Sequence, residues 1–156
     1  MCTGPARSYG GGVPEAWDGA ATGVLMLPAG RLVRGRGVGG PLPPGPVPEF
    51  GVHLLGRRPA AQPWESRWVA WPDFRLPRDP DDLRSALRDV LARAGRERVE
   101  VACRGARPDG YRAGVPAVLD GLPADRAVAY VRAHYRSRAV ETPGQRALVA
   151  RFVPGP

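Results

Sequence analysis

The stretch RDPDDLRSALRDVLARAG, residues 78–95, constrains the fold more than any other part of the chain. Asp79 is a natural helix cap, Pro80 suits a first helical turn, and Asp81 and Asp82 suit the positive end of a helix dipole. Leu83, Ala86, Leu87, Val90, Leu91 and Ala94 recur at helical spacing and form one apolar stripe. Gly95 ends the element. A helix with a single apolar stripe must lie on another layer, and the flanking sequence supplies one. FGVHLL (50–55), SRWVAW (66–71) and RVEVA (98–102) are rich in apolar and aromatic residues and read as strands. Pro72 stops the second, and the third runs straight into Cys103.

Upstream, GVLML (23–27) and RLV (31–33) flank Pro-Ala-Gly and predict a hairpin-like start. The segment GRGVGGPLPPGPVPEF (35–50) is read as loop, because so many of its residues lack a ladder donor or prefer turns. Downstream, ADRAVAYVRAHY (124–135) predicts a helix with Ala127, Val128, Val131 and Tyr135 inward. TPGQRALVARF (142–152) predicts another, with Thr142 and Gln145 as a capping box. Strands first, then strand–helix alternation, imply an α/β fold: a central mixed sheet flanked by helices. Residues 1–20 are Gly-rich and aperiodic and are expected to be a flexible N-terminal segment. Residues 21–153 are expected to form a single domain.

The 156 residues suffice for one domain with a real core. All 23 basic residues are arginine, and the chain contains no lysine, isoleucine or asparagine, a pattern that follows a G+C-rich codon supply. The net charge of +8 still makes a surface that attracts phosphates or nucleic acid. The arginines are scattered and no nucleic-acid recognition motif accompanies them. Only Cys2 and Cys103 are present, which argues against a disulfide framework, and two Cys with the distant His53 and His134 make a poor zinc site. No metal or cofactor is therefore expected. Apolar runs are too short to span a bilayer, so a soluble, cytoplasmic, reduced protein, monomeric and without a membrane partner, is the expectation.

Cys103 stands between a strand and a Gly-containing turn. Backbone N–H groups of such a turn form an anion nest, and a following helix N-terminus adds positive potential. Both lower a thiol pKa and both favour a phosphoryl group. The plain alternative is a small buried hydrophobe at a strand end, as most free cysteines are, and the stretch by itself leaves both open. Trp71-Pro72-Asp73 follows another strand end. Asp73 would be placed as a general acid at the same sheet edge as Cys103 if the two strands neighbour each other.

The order Trp-Pro-Asp, helix, VEVAC with its loop, then a late ETPGQ resembles a compact cysteine-dependent protein-tyrosine phosphatase over residues 50–152. The resemblance implies Cys103 as nucleophile and Asp73 as general acid, with Trp71 and Pro72 supporting the acid loop. It places Glu141 and Gln145 where glutamines position the attacking water. Arg104, Gly105, Ala106, Arg107, Asp109 and Gly110 take the place of the phosphate-binding loop. The loop departs from the family pattern. Ala102 replaces the usual histidine. Asp109 stands six residues after Cys103, where an arginine belongs, Gly110 replaces a hydroxyl residue, and Pro116 falls inside the supporting helix. Arginine meets two phosphoryl oxygens with one planar fork, whereas Asp109 would place negative charge beside phosphate and thiolate alike.

Read one base later in plausible G+C-rich codons for residues 104–115, with two bases restored after the Cys103 codon, the stretch after Cys103 becomes Gly-Gly-Gly-Arg-Gly-Arg-Thr-Gly-Thr-Ala-Leu-Ala-Cys. That string restores the family signature, after which AVLDG (117–121) continues in the original frame. Codon degeneracy permits this reading without forcing it. The expected function is a protein-tyrosine-phosphatase-like hydrolase acting on a phosphorylated protein or small phosphomonoester, impaired by Asp109. The alternatives are a non-catalytic phosphoprotein-binding pseudophosphatase and, behind it, an Arg-rich nucleic-acid-binding protein. His53 and His134 are expected to be structural or surface groups, and Trp17 and Trp64 to have no site role.

Overall fold

The computed structural model describes residues 15–72 and 77–104. Five strands form one sheet: β1 (Val24–Met26), β2 (Leu32–Gly37), β3 (Phe50–Leu55), β4 (Glu65–Ala70) and β5 (Val99–Cys103), in spatial order β1-β2-β5-β3-β4. β1 pairs antiparallel with β2, and β2, β5, β3 and β4 all run parallel. The sheet is mixed, as expected. The predicted helices over 124–135 and 142–152 lie outside the described residues.

The hairpin joining β1 and β2 follows from its sequence. Gly30 N–H donates to the Leu27 carbonyl at 2.8 Å, and Leu27 N–H to the Arg31 carbonyl at 2.7 Å. Pro28 opens this three-residue turn, and Gly30, at φ 88°, supplies the left-handed residue such a turn requires.

One segment read as loop is strand. β2 continues through Gly35, Arg36 and Gly37, in register with Val101, Ala102 and Cys103. The two glycines supply no β propensity, so the pairing with β5 must hold them. The arginines explain how: Arg34 and Arg36 lie on one face beside Glu100, which ties both to β5. The other boundaries move by one residue: β4 spans 65–70 rather than 66–71, and β5 spans 99–103 rather than 98–102.

The helix α1 (Pro80–Ala94) begins and ends where the sequence places it. The Asp79 carboxylate accepts from the N–H groups of Asp81 and Asp82 at 3.0 and 3.3 Å. Gly95 caps the far end in a right-handed conformation, its N–H donating to the Arg93 carbonyl. The buried residues of α1 are the six of the predicted stripe. They lie on the sheet face that carries Phe50, Val52, Leu54, Val99 and Val101. Arginines stitch the layers: Arg93 stacks on Phe50 at 4.0 Å and pairs with Glu65, and Arg67 pairs with Asp82 and Asp89.

The opposite face is also buried but polar. Glu100 is fully buried and accepts from Arg34 Nε at 2.8 Å and Arg36 Nε at 2.9 Å. Arg34 lies 4.1 Å from the centre of the Trp17 ring, whose indole N–H donates to the Val99 carbonyl at 2.9 Å. Trp17 falls inside the stretch read as flexible, yet it is only 7% exposed, its ring covered by the Arg34 guanidinium and its N–H supplied with a hydrogen-bond partner. His53 is buried on this face too.

Candidate active site

The run VEVAC makes the central strand, and its position follows from burial on both faces: every residue of β5 is buried. Cys103 is its last residue, 3% exposed, in register with Gly37 of β2 and Leu54 of β3. Because β2, β5, β3 and β4 are parallel, their C-terminal ends open on one edge. In open α/β sheets that edge is where ligands bind.

Hydrogen bonds pin the strand exits together there. Val38 N–H donates to the Cys103 carbonyl at 2.8 Å. The Leu55 carbonyl accepts twice at 2.9 Å, from the Trp71 N–H and from the Trp68 indole. Trp71 is almost wholly buried, and Pro72 packs so close to Gly56 that a Cβ at residue 56 would sit 3.3 Å from the Pro72 Cα. Arg78 N–H donates to the Ala70 carbonyl at 3.0 Å, so both flanks of residues 73–76 are fixed at the end of β4.

The strands leading to Cys103 and to Asp73 are not immediate neighbours. β3 lies between them, and with strands spaced about 4.8 Å apart the two exits are separated by about 10 Å. They share an edge through an intervening strand, not through direct pairing. Cys103, Trp71 and Pro72 thus come to one edge, with Arg104 exposed just beyond Cys103. Asp73, Gly105, Ala106, Arg107, Asp109, Gly110, Glu141 and Gln145 lie outside the described residues.

A polar cluster lies behind this edge. Arg36 and His53 flank Ala102 across the sheet, one residue before Cys103. Among the described residues neither ring nitrogen of His53 has a hydrogen-bond partner. Burial pushes the His53 pKa down, Arg36 pushes it further, and Glu100 partly opposes them. The available signal was Arg-Gly-Arg at 34–36 with a lone glutamate in the otherwise apolar VEVAC. Among the described residues no group of three or more His, Cys, Asp or Glu side chains is placed to hold a metal ion. No described helix is long and apolar enough to cross a membrane.

This sheet order, with a cysteine closing the central strand, is the protein-tyrosine-phosphatase-like fold. The structure of Tk-PTP in its active form superposes with a TM-score of 0.56 at 23% identity, over 67% of this chain and 77% of that one. The G95A mutant form of Tk-PTP superposes with a TM-score of 0.51 at 23% identity, over 67% and 75%. No family model and no curated protein matches the chain. At this identity the likeness defines the fold.

Proposed function

We propose that the chain is a protein-tyrosine-phosphatase-like hydrolase of phosphomonoesters that works through a phosphocysteine. The observation that supports it most is the placement of Cys103 at the C-terminal end of the central strand, on the edge from which Trp71 and Pro72 lead to Asp73. In this reading the Cys103 thiolate attacks phosphorus and the P–O bond to the leaving group breaks. Asp73 gives its proton to the departing oxygen. Water then attacks the phosphocysteine with Asp73 as base, oriented by Glu141 and Gln145, releasing inorganic phosphate and the thiolate. The backbone from Arg104 to Gly110 cradles the phosphoryl oxygens. No metal takes part. The substrate is a phosphorylated protein or a small phosphomonoester, and the protein acts as a cytoplasmic monomer.

Asp109 favours a second reading. Without the arginine fork, turnover is lowered by the loss of an oxyanion donor, about 3–4 kcal/mol where such losses are known. A backbone nest can still hold an anion, which leaves a phosphoprotein-binding module. Hydrolysis of a chromogenic aryl phosphate by the purified chain, abolished by Cys103→Ser, is the expected result for the enzyme. Binding of a phosphotyrosine peptide without turnover establishes the binding module. Folded protein that neither binds nor turns over overturns both readings.

A further inference from the structure

Charge is distributed unevenly between the two ends of the parallel strands. At the N-terminal end two arginines are met by carboxylates: Arg93 by Glu65 and Glu97, and Arg98 by Glu49. At the Cys103 end the described strand exits (residues 37–40, 56–59, 71–72 and 103–104) carry Arg57, Arg58 and Arg104 and no carboxylate. Arg57 and Arg58 are exposed, and neither forms an ion pair among the described residues. They leave from β3, the strand between the one that ends in Cys103 and the one that leads to Asp73.

This pair stands on a stiff base. The Leu55 carbonyl just before it is held by Trp68 and by Trp71, and Gly56 is packed against Pro72. The Arg58 guanidinium lies 5.5 Å from the centre of the Trp68 ring, and among the described residues its donors meet no acceptor. Two guanidiniums without an ion pair among the described residues, on a braced turn beside a candidate phosphate-handling cysteine, make a rim complementary to anions next to the phosphate itself.

We infer that Arg57 and Arg58 form a specificity rim that selects phosphorylated protein segments with acidic residues flanking the phosphorylated side chain. The inference rests on the phosphatase-like reading of Cys103 and adds the substrate class. Rim charges act chiefly through encounter rate and salt dependence. Screening acts over about 8 Å at physiological ionic strength, so the preference belongs to low and moderate salt.

The test uses the full chain carrying Cys103→Ser, so that peptides are not consumed, and three fluorescent peptides of equal length: a phosphotyrosine peptide with acidic flanks, one with neutral flanks, and the acidic peptide without phosphate. Anisotropy titrations should show the acidic phosphopeptide binding about tenfold tighter than the neutral one, with the advantage shrinking as salt is raised. Arg57→Gln/Arg58→Gln should erase the advantage and leave neutral-phosphopeptide affinity unchanged. Arg57→Gln alone, which keeps the Arg58–Trp68 contact, should erase part of it. Equal binding of both phosphopeptides, or an advantage that survives the double substitution in folded protein, overturns the rim while leaving the Cys103 reading standing. Binding of the acidic peptide with or without phosphate, lost in the double variant, keeps the rim and overturns the phosphate site. No binding of any peptide overturns both.

Discussion

At the scale of single residues, the sheet face away from α1 holds charges that the fold cannot leave unpaired. Glu100 holds Arg34 and Arg36 with almost no access to water. Removing one partner of a buried ion cluster leaves uncompensated charge and costs about 3–5 kcal/mol. Glu100→Ala should therefore lower the urea midpoint of unfolding by much of the total stability expected of a small domain. A midpoint within experimental error of the parent would show that the arginines find water. His53 is a neighbour of opposite character. Its folded pKa lies below its unfolded value, chiefly through burial and then through Arg36, against the pull of Glu100. The unfolded state thus takes up the proton more readily. Stability is fully present above about pH 6.5 and falls at up to about 1.4 kcal/mol per pH unit as pH drops from there through the folded pKa. Thermal melts at pH 7.5 and 5.5 should show a loss that His53→Gln reduces. An unchanged pH dependence in that variant would mean other groups carry it.

At the scale of elements, legibility followed the source of each element's stability. α1 was readable to the residue because its cap, its Pro and its apolar stripe are local signals. Asp79→Ala should cost about 1 kcal/mol in a denaturation experiment, while Asp79→Asn should cost little. β3 was readable because FGVHLL is continuously apolar apart from a histidine. β2 was only half readable, because Arg-Gly-Arg-Gly carries no strand propensity and is held by β5 and Glu100, partners 64 to 66 residues away. Trp17 was missed for the same reason: its indole donates to Val99, 82 residues on. At the candidate site, the sequence placed Cys103 at a strand end but could not order the strands. That β3 separates the exits of β5 and β4, and that Arg57 and Arg58 therefore stand between them, is a property of topology. No local pattern encodes it.

At the scale of the whole molecule, the fold and the loop after Cys103 point in different directions. The sheet brings a buried cysteine to the edge at which open α/β sheets bind ligands, pins the chain on either side of residues 73–76, and matches the Tk-PTP fold. In the phosphatase-like reading the loop lacks the arginine expected six residues after Cys103, where Asp109 stands. A scaffold kept intact around a broken loop is what a short compensated frame change would leave, and a chimaera tests this directly. Residues 104–116 are replaced by the alternative-frame string, which restores arginine six positions after Cys103, threonine next to it, and a stretch free of proline. One recovered oxyanion donor corresponds to about a hundredfold to a thousandfold in turnover. The chimaera should hydrolyse a chromogenic aryl phosphate faster than the parent by at least that factor, and Cys103→Ser in the chimaera should remove the gain. A chimaera that folds as the parent does and gains nothing would place the defect in the scaffold rather than the loop. The edge that gathers Cys103, Trp71 and the two arginines would then be a surface for holding phosphorylated segments.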